Sequence, residues 1–115
     1  GLTAIGTSTF AACDSLTEVN LPEGLLYLGE NAFDRCIELT TITLPSSLET
    51  IPRAAFSDCE KLENVDLSSV KTIEGYAFQR CTGLKTVAPV SIAGIANESL
   101  SACEISRYVT APRSE

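Results

Sequence analysis

Histidine, methionine and tryptophan are absent from this sequence of 115 residues. Without histidine, neither a Ser-His-Asp triad nor a Cys-His pair can form, and no imidazole is available to bind a metal ion. The sequence also lacks a Cys-x-x-Cys pair, a glycine-rich phosphate loop and an Asp-x-Asp-x-Asp-Gly calcium loop. We therefore expect a protein that is not an enzyme and has no catalytic residues, no metal site and no cofactor.

Basic residues are scarce as well, with 8 lysines and arginines against 15 aspartates and glutamates, for a net charge of −7. Nucleic-acid binding depends mainly on basic contacts to phosphates, and anionic membrane surfaces attract basic segments. The sequence has no apolar run of about 18 residues, the length that a membrane-spanning helix requires. We expect no nucleic-acid partner and no membrane insertion by this segment.

The cysteines recur at intervals of 23, 23, 22 and 22 residues, and an aromatic or aliphatic residue stands three positions before each one. A repeat length in the twenties is typical of a solenoid, in which each repeat forms one coil of a stack. The cysteines are Cys13, Cys36, Cys59, Cys81 and Cys103, and the residues before them are Phe10, Phe33, Phe56, Phe78 and Leu100.

The same spacing argues against disulfides and metal sites, since the cysteine count is odd and no two cysteines lie close in sequence. A thiol at one fixed position of every coil behaves as a small apolar group. We predict an inward ladder of reduced, unreactive cysteines.

Within one unit, residues 16–21 end in alternating apolar and polar residues, which predicts a half-buried strand. Pro22 and Gly24 then predict a turn. The short apolar stretch 25–28 predicts a second, brief strand. Helix-forming residues at 30–36 predict one helical or 3₁₀ turn. Each coil alone cannot enclose its apolar side chains, so stacking must bury them.

The recurring pattern Leu-x-x-Ile-Gly-x-x-x-Phe-x-x-Cys-x-x-Leu-x-x-Val-x-Leu-Pro, which Leu2 to Pro22 matches throughout, resembles the BspA-like leucine-rich repeat over residues 2 to about 112. The resemblance implies an α/β solenoid: a right-handed coil of about five repeats of 22–23 residues, with a parallel sheet on the concave face and short helical or 3₁₀ turns. It also implies a protein-binding role, of the kind that surface proteins of host-associated bacteria and some parasitic protists have.

The ends of the repeat array lead to expectations about domain organisation. We expect residues 1–115 to form a single solenoid domain that is a fragment of a longer protein. Pro89 stands where a strand leucine is expected, which predicts a break or bulge, and polar Ser106 falls at an inward position. Residues 89–115 are therefore expected to be irregular, either as a C-terminal cap or because truncation distorts them.

The outward stripe of the first strand in each unit is the candidate binding surface. It is hydroxyl-rich and mildly acidic, which suits a protein partner with basic or hydrogen-bonding groups, although threonine also simply favours exposed strand positions. Tyr27 and Tyr76 are outward elsewhere and mark a second candidate patch. The stripe consists of Glu18, Asn20, Thr41, Thr43, Asn64, Asp66, Thr86, Ala88, Tyr108 and Thr110.

Two functional interpretations follow. The resemblance favours a protein–protein interaction module of a cell-surface or secreted protein, which binds host or extracellular-matrix proteins as an adhesin does. The alternative is an intracellular scaffold, or a structural spacer without a ligand of its own. The triplet Asn97-Glu98-Ser99 matches the N-glycosylation pattern, which is meaningful only in a secreted eukaryotic protein.

Overall fold

The structure is a computed structural model that describes residues 3–96 and 98–110, and only the backbone of Ser106 and Arg107. Some residues that the sequence analysis singled out therefore lie outside the description. These are Leu2, Asn97, the side chain of Ser106, and residues 111–115 of the expected irregular C-terminal stretch.

The described residues form nine strands of two or three residues and one short 3₁₀ helix. The strands are β1 (Ala4–Ile5), β2 (Glu18–Asn20), β3 (Tyr27–Leu28), β4 (Thr41–Thr43), β5 (Thr50–Ile51), β6 (Thr72–Ile73), β7 (Val90–Ser91), β8 (Gly94–Ile95) and β9 (Val109–Thr110), and the helix is Glu104–Arg107. Such short strands are stable only because every coil supports its neighbours.

Strands pair in parallel with the equivalent strand of the next coil, which confirms the predicted solenoid. On one side of the coil β2 pairs with β4, and Thr41 continues to Asn64 through an isolated bridge. We call this the first sheet. On another side β1 pairs with β3, and β5 pairs with β6 and then β8. We call these pairs together the second sheet; its strands were predicted from the apolar pair before each phenylalanine.

The segment around each phenylalanine differs from the predicted helical or 3₁₀ turn, because it is a series of β-turns. A left-handed backbone, with φ between 56° and 64°, occurs two residues before and two residues after each phenylalanine. The same holds for Leu100, which takes the place of phenylalanine in the last coil. The left-handed residues are Ser8, Ala12, Asn31, Arg35, Ala54, Asp58, Tyr76, Arg80, Glu98 and Ala102. Such a φ is unfavourable for residues other than glycine.

Hydrogen bonds between coils explain why these turns replace a helix. The alternating backbone turns every second N–H toward the next coil: Phe10 donates to the Ala32 oxygen at 2.8 Å, and Phe33 donates to the Ala55 oxygen at 2.9 Å. A helix would direct its N–H groups along its own axis. The left-handed residues are therefore stabilised by a ladder of bonds along the whole stack.

Two glycines occupy positions that the predicted turns require. Gly24 has a φ of 94°, so the turn after Pro22 favours glycine. Gly29 follows β3 where the first two coils approach closely, and a Cβ placed there would lie 2.3 Å from the Thr7 nitrogen. Both glycines therefore hold the coil in a shape that a larger residue would disturb.

The interior contains the predicted ladder of cysteines and, beside it, a ladder of phenylalanine rings. Ring centroids of Phe10, Phe33, Phe56 and Phe78 follow one another at 5.3, 5.6 and 5.4 Å. Beside them the thiols of Cys36, Cys59 and Cys81 donate to the carbonyl oxygens of Phe10, Phe33 and Phe56, with Sγ–O distances of 3.1, 3.1 and 3.0 Å. All five cysteines are free; four are buried, and Cys13 in the first coil is half-buried.

Pro89 interrupts the first sheet, as predicted. Residues 86–88 form no strand, and β7 begins at Val90, directly after the proline. Because proline has no N–H, it cannot continue a ladder. The first sheet ends at the bridge to Asn64, and residues 86–88 do not continue it.

In the last coil, the register of strand pairing is shifted along the chain. Val90 pairs with Val109, a separation of 19 residues, whereas Thr72 pairs with Gly94 at a separation of 22. The Cys103 thiol correspondingly lies 3.8 Å from the Leu84 oxygen and not against a phenylalanine. In this coil Ile105, one residue before the predicted inward Ser106, is fully buried.

Ser99 stands one residue before Leu100, at the position that buried alanines 32, 55 and 77 hold in the preceding coils. Its side chain is 1% exposed, and its hydroxyl has no hydrogen-bond partner in the described part of the chain. A buried unpaired hydroxyl is unfavourable, so we expect Ser99→Ala to raise the free energy of unfolding by about 1 kcal/mol. Urea denaturation measures this change.

Ser47→Ala is the matched control for this prediction. The Ser47 hydroxyl donates to the Leu25 oxygen at 2.8 Å and accepts from the Gly24 N–H at 3.1 Å. Its removal should lower the free energy of unfolding, which is the opposite sign. A Ser99→Ala protein no more stable than the unaltered chain would contradict the prediction.

Candidate functional site

The outer side of the first sheet gathers six of the predicted binding residues. Val19, Ile42 and Val65 turn their side chains toward the core, so the residues on either side of each point outward. The six are Glu18, Asn20, Thr41, Thr43, Asn64 and Asp66, and all are exposed except Thr41, which is half-buried. We call these six residues the polar face.

A surface depression of about 320 Å³ lies within the polar face. Its lining consists of Thr41, Thr43, Asn64 and Asp66, together with the half-buried Leu44 and the inward-facing Ile42 and Val65. Among the described residues, no backbone hydrogen bond links 43–44 to 66–67, so the two coils separate beyond the bridge between Thr41 and Asn64. The depression is therefore a consequence of the incomplete ladder.

The charge of the polar face is negative. The pKa of Asp66 is lowered, chiefly because its carboxylate accepts a hydrogen bond from the Ser68 N–H at 2.9 Å. Glu18 adds a second, exposed carboxylate, and none of the six residues is basic. The face thus offers carboxylates, hydroxyls and amides to groups that are positively charged or donate hydrogen bonds.

The remaining predicted residues do not extend this face as expected. Thr86 and Ala88 are exposed but lie in the interrupted segment before Pro89. Tyr108 is half-buried and packs against the core next to the 3₁₀ helix. Thr110 belongs to β9 and pairs with Ser91. Tyr108 is therefore less exposed than its predicted outward position implies.

Tyr27 and Tyr76, the second candidate patch, lie on different segments of the coil. Tyr27 is on β3, and 69% of it is exposed. Tyr76 is at a left-handed turn position, and the Arg53 guanidinium lies 5.1 Å from its ring centroid. The two rings therefore belong to separate surfaces, and the Tyr27 ring is the more exposed of the two.

Ion pairs join neighbouring coils, and the sequence analysis did not predict them. Arg80 forms two hydrogen bonds with Asp58, one of them from Nη2 to Oδ2 at 3.1 Å, and these lower the pKa of Asp58. Lys61 likewise pairs with Glu38 at 2.9 Å, and Lys71 pairs with Glu49 at 3.2 Å. Each pair joins residues one repeat apart, so opposite charges at a spacing of 22 or 23 were the available signal.

The described residues contain neither a metal-binding group of histidine, cysteine or acidic side chains nor a helix with the length and hydropathy to cross a membrane.

Comparison with known proteins identifies the repeat. The family described as "BspA type Leucine rich repeat region" matches residues 1–114 in six copies, one more than the number of cysteine-centred units. The comparison with curated proteins finds no match.

Three crystal structures resemble the fold over most of this chain. A leucine rich cell surface protein from Faecalibacterium prausnitzii is 27% identical over 100% of the chain, with a TM-score of 0.86. A leucine-rich repeat protein from Bacteroides ovatus is 31% identical over 96% (TM-score 0.84), and one from T. pallidum is 30% identical over 90% (TM-score 0.82). The chain spans 31%, 29% and 50% of these proteins.

Proposed function

Since the chain belongs to the BspA type leucine rich repeat family, we propose that it is a protein-binding module whose polar face recognises a protein partner. We further propose that it acts as one domain of a longer protein at the cell surface, where it mediates adhesion to host or matrix proteins. The F. prausnitzii structure, described as a cell surface protein, supports that location. The role is recognition and not catalysis.

The observation that carries this proposal is the depression in the polar face. Its lining combines four polar residues with the half-buried Leu44, so a partner can form hydrogen bonds there and place a small apolar group beside Leu44. The Thr41 and Asn64 backbones are fixed by the bridge between coils. A preformed surface loses little conformational entropy when it binds.

The partner is expected to carry basic groups at its contact surface. Glu18 and Asp66 lie at opposite ends of the polar face, two coils apart, which is about 10 Å at the usual strand spacing. Lysine or arginine side chains of a partner can reach both carboxylates at once. Such complementarity raises the rate of association and selects against acidic proteins.

The test measures binding of the purified chain to a panel of extracellular-matrix and plasma proteins at physiological salt. We expect saturable binding to at least one of them, and a double variant, Glu18→Lys with Asp66→Lys, should weaken it by about tenfold or more. Circular dichroism confirms that the variant folds.

A second double variant, Glu60→Lys with Glu104→Lys, makes the same change in net charge away from the polar face, since both glutamates are exposed on other segments. It should leave the affinity close to that of the unaltered chain. Equal weakening by both variants would mean that overall charge decides binding and would contradict the proposed face. No binding to any protein of the panel would favour the scaffold or spacer.

A further inference from the structure

The second sheet is interrupted between β3 and β5, although these strands lie on neighbouring coils. In the other coils, the residue after the strand donates its N–H to the preceding coil: Gly29 to the Ile5 oxygen at 2.7 Å and Glu74 to the Ile51 oxygen at 2.9 Å. Pro52 holds this position after β5. Because proline has no N–H, the Leu28 carbonyl receives no such bond.

The neighbouring ladder bond is missing too. Thr72 donates to the Glu49 oxygen at 3.1 Å, but the equivalent Thr50 N–H forms no backbone bond to the Leu26 oxygen within the described residues. The Ser47 hydroxyl instead connects the two coils at one side of the gap. The seam between β3 and β5 thus leaves the Leu26 and Leu28 carbonyls without backbone donors from β5.

A surface cavity of about 490 Å³ opens at this seam. The two neighbouring residues Leu26 and Tyr27, which are 51% and 69% exposed, stand at its edge. Because Leu26 and Tyr27 are adjacent, they form a small contiguous apolar patch, and contiguous exposed apolar patches mark interaction sites more often than single residues do. We call this cavity the flank groove; it is lined by Leu26, Tyr27, Ser47, Thr50, Pro52 and Glu74.

The flank groove also contains a carboxylate that is free to accept a cation. One Glu74 oxygen accepts the Arg53 backbone N–H at 3.2 Å, and no ion pair to Glu74 occurs among the described residues. The Arg53 guanidinium lies over the Tyr76 ring instead. Glu49, the other acidic residue at the groove, is already paired with Lys71 at 3.2 Å.

We propose that the flank groove binds an extended segment of a partner polypeptide that carries a lysine or arginine beside an aliphatic or aromatic side chain. The segment lies along the opening between β3 and β5. Its apolar side chain packs on Leu26 and Tyr27, and its basic side chain reaches Glu74. The groove lies on the second sheet and shares no residue with the polar face, so this inference does not depend on the proposed function.

The probe is a capped eight-residue peptide in which lysine alternates with leucine, added to the ¹⁵N-labelled chain. We expect saturable shifts of the Tyr27, Thr50 and Ile51 amide signals. A variant with Leu26→Ser and Tyr27→Ser should weaken binding by about tenfold or more, because tyrosine anchors dominate such contacts. Ile37→Ser removes an exposed apolar side chain elsewhere, 42% exposed, and should leave binding unchanged.

Two further controls separate the parts of the proposal. A peptide with glutamate in place of lysine should not bind. Pro52→Ala restores the N–H that Glu74 and Gly29 supply in their coils, so it should close the ladder and weaken peptide binding while the fold is kept.

Any of the following results would overturn the inference: no shifts at millimolar peptide, shifts confined to the polar face, or equal binding of the glutamate peptide. Full affinity in the Leu26→Ser, Tyr27→Ser variant would also overturn it. Because both residues are exposed, that variant is expected to fold normally.

Discussion

Replacing Phe56 with alanine is expected to lower the free energy of unfolding by about 3–5 kcal/mol. Phe56 is fully buried and stacks between the rings of Phe33 and Phe78, at 5.6 and 5.4 Å. Its loss leaves a cavity at the middle of the array and removes contacts on both sides. Because each coil is stabilised by its neighbours, the substitution weakens two coil–coil interfaces at once. Guanidinium denaturation followed by circular dichroism measures the change.

Phe10→Ala is the control for this prediction. Phe10 is 37% exposed and stacks only on Phe33, at 5.3 Å, within the described residues. Phe10→Ala therefore removes less buried surface and weakens one described interface. We expect it to lower the free energy of unfolding by less than half as much as Phe56→Ala does. Equal costs for the two variants would contradict the view that stability depends on a continuous ladder of rings.

The fold was largely predictable because the inward positions tolerate few residue types. A phenylalanine and a cysteine at fixed places in every coil contact the same residues of the neighbouring coils, so their spacing reports the stacking directly. The turn segments were less predictable. Residues 30–36 contain good helix formers, but Asn31 and Arg35 adopt left-handed conformations because bonds between coils outweigh the local helix preference.

The candidate surfaces were only partly predictable for a related reason. Alternation within a strand places Glu18, Asn20 and their neighbours outward, and this requires no knowledge of other coils. The partial burial of Tyr108 was not predictable from alternation, because it depends on how the last coil packs against the core. Pro52 was overlooked because its effect is a missing donor to Leu28, which becomes visible only when the coils are laid side by side.

The second large effect concerns thiol reactivity: we expect the native protein to react with a maleimide at Cys13 first, and at the four buried cysteines only after unfolding. Burial raises the pKa of Cys59 to about 12 from 9.0. Since the thiolate is the reactive form, a shift of this size lowers its population about a thousandfold at pH 8. The chain is labelled in buffer and in about 6 M guanidinium, which unfolds most domains. Mass spectrometry of the labelled peptides then measures the difference.

Rapid native labelling of Cys36, Cys59 or Cys81 would contradict the inward ladder. Burial also raises the pKa values of Cys36, Cys81 and Cys103, so all four thiols resist ionisation in the folded state. Cys13 has no preceding described coil to cover it and is half-buried. The order of labelling therefore tests burial coil by coil.

The same shift makes stability fall at alkaline pH. Above pH 9.0 the Cys59 thiol of the unfolded chain ionises, while the folded chain keeps its proton until about pH 12. The stabilisation that the protonated Cys59 thiol contributes is therefore complete below pH 9.0. It is lost as pH rises from 9.0 to about 12, at about 1.4 kcal/mol per pH unit. Denaturation midpoints measured between about pH 8 and pH 11 should decline less steeply in Cys59→Ala, because the raised pKa values of Cys36, Cys81 and Cys103 are common to both proteins. Identical slopes would show that Cys59 ionises as easily in the fold as outside it.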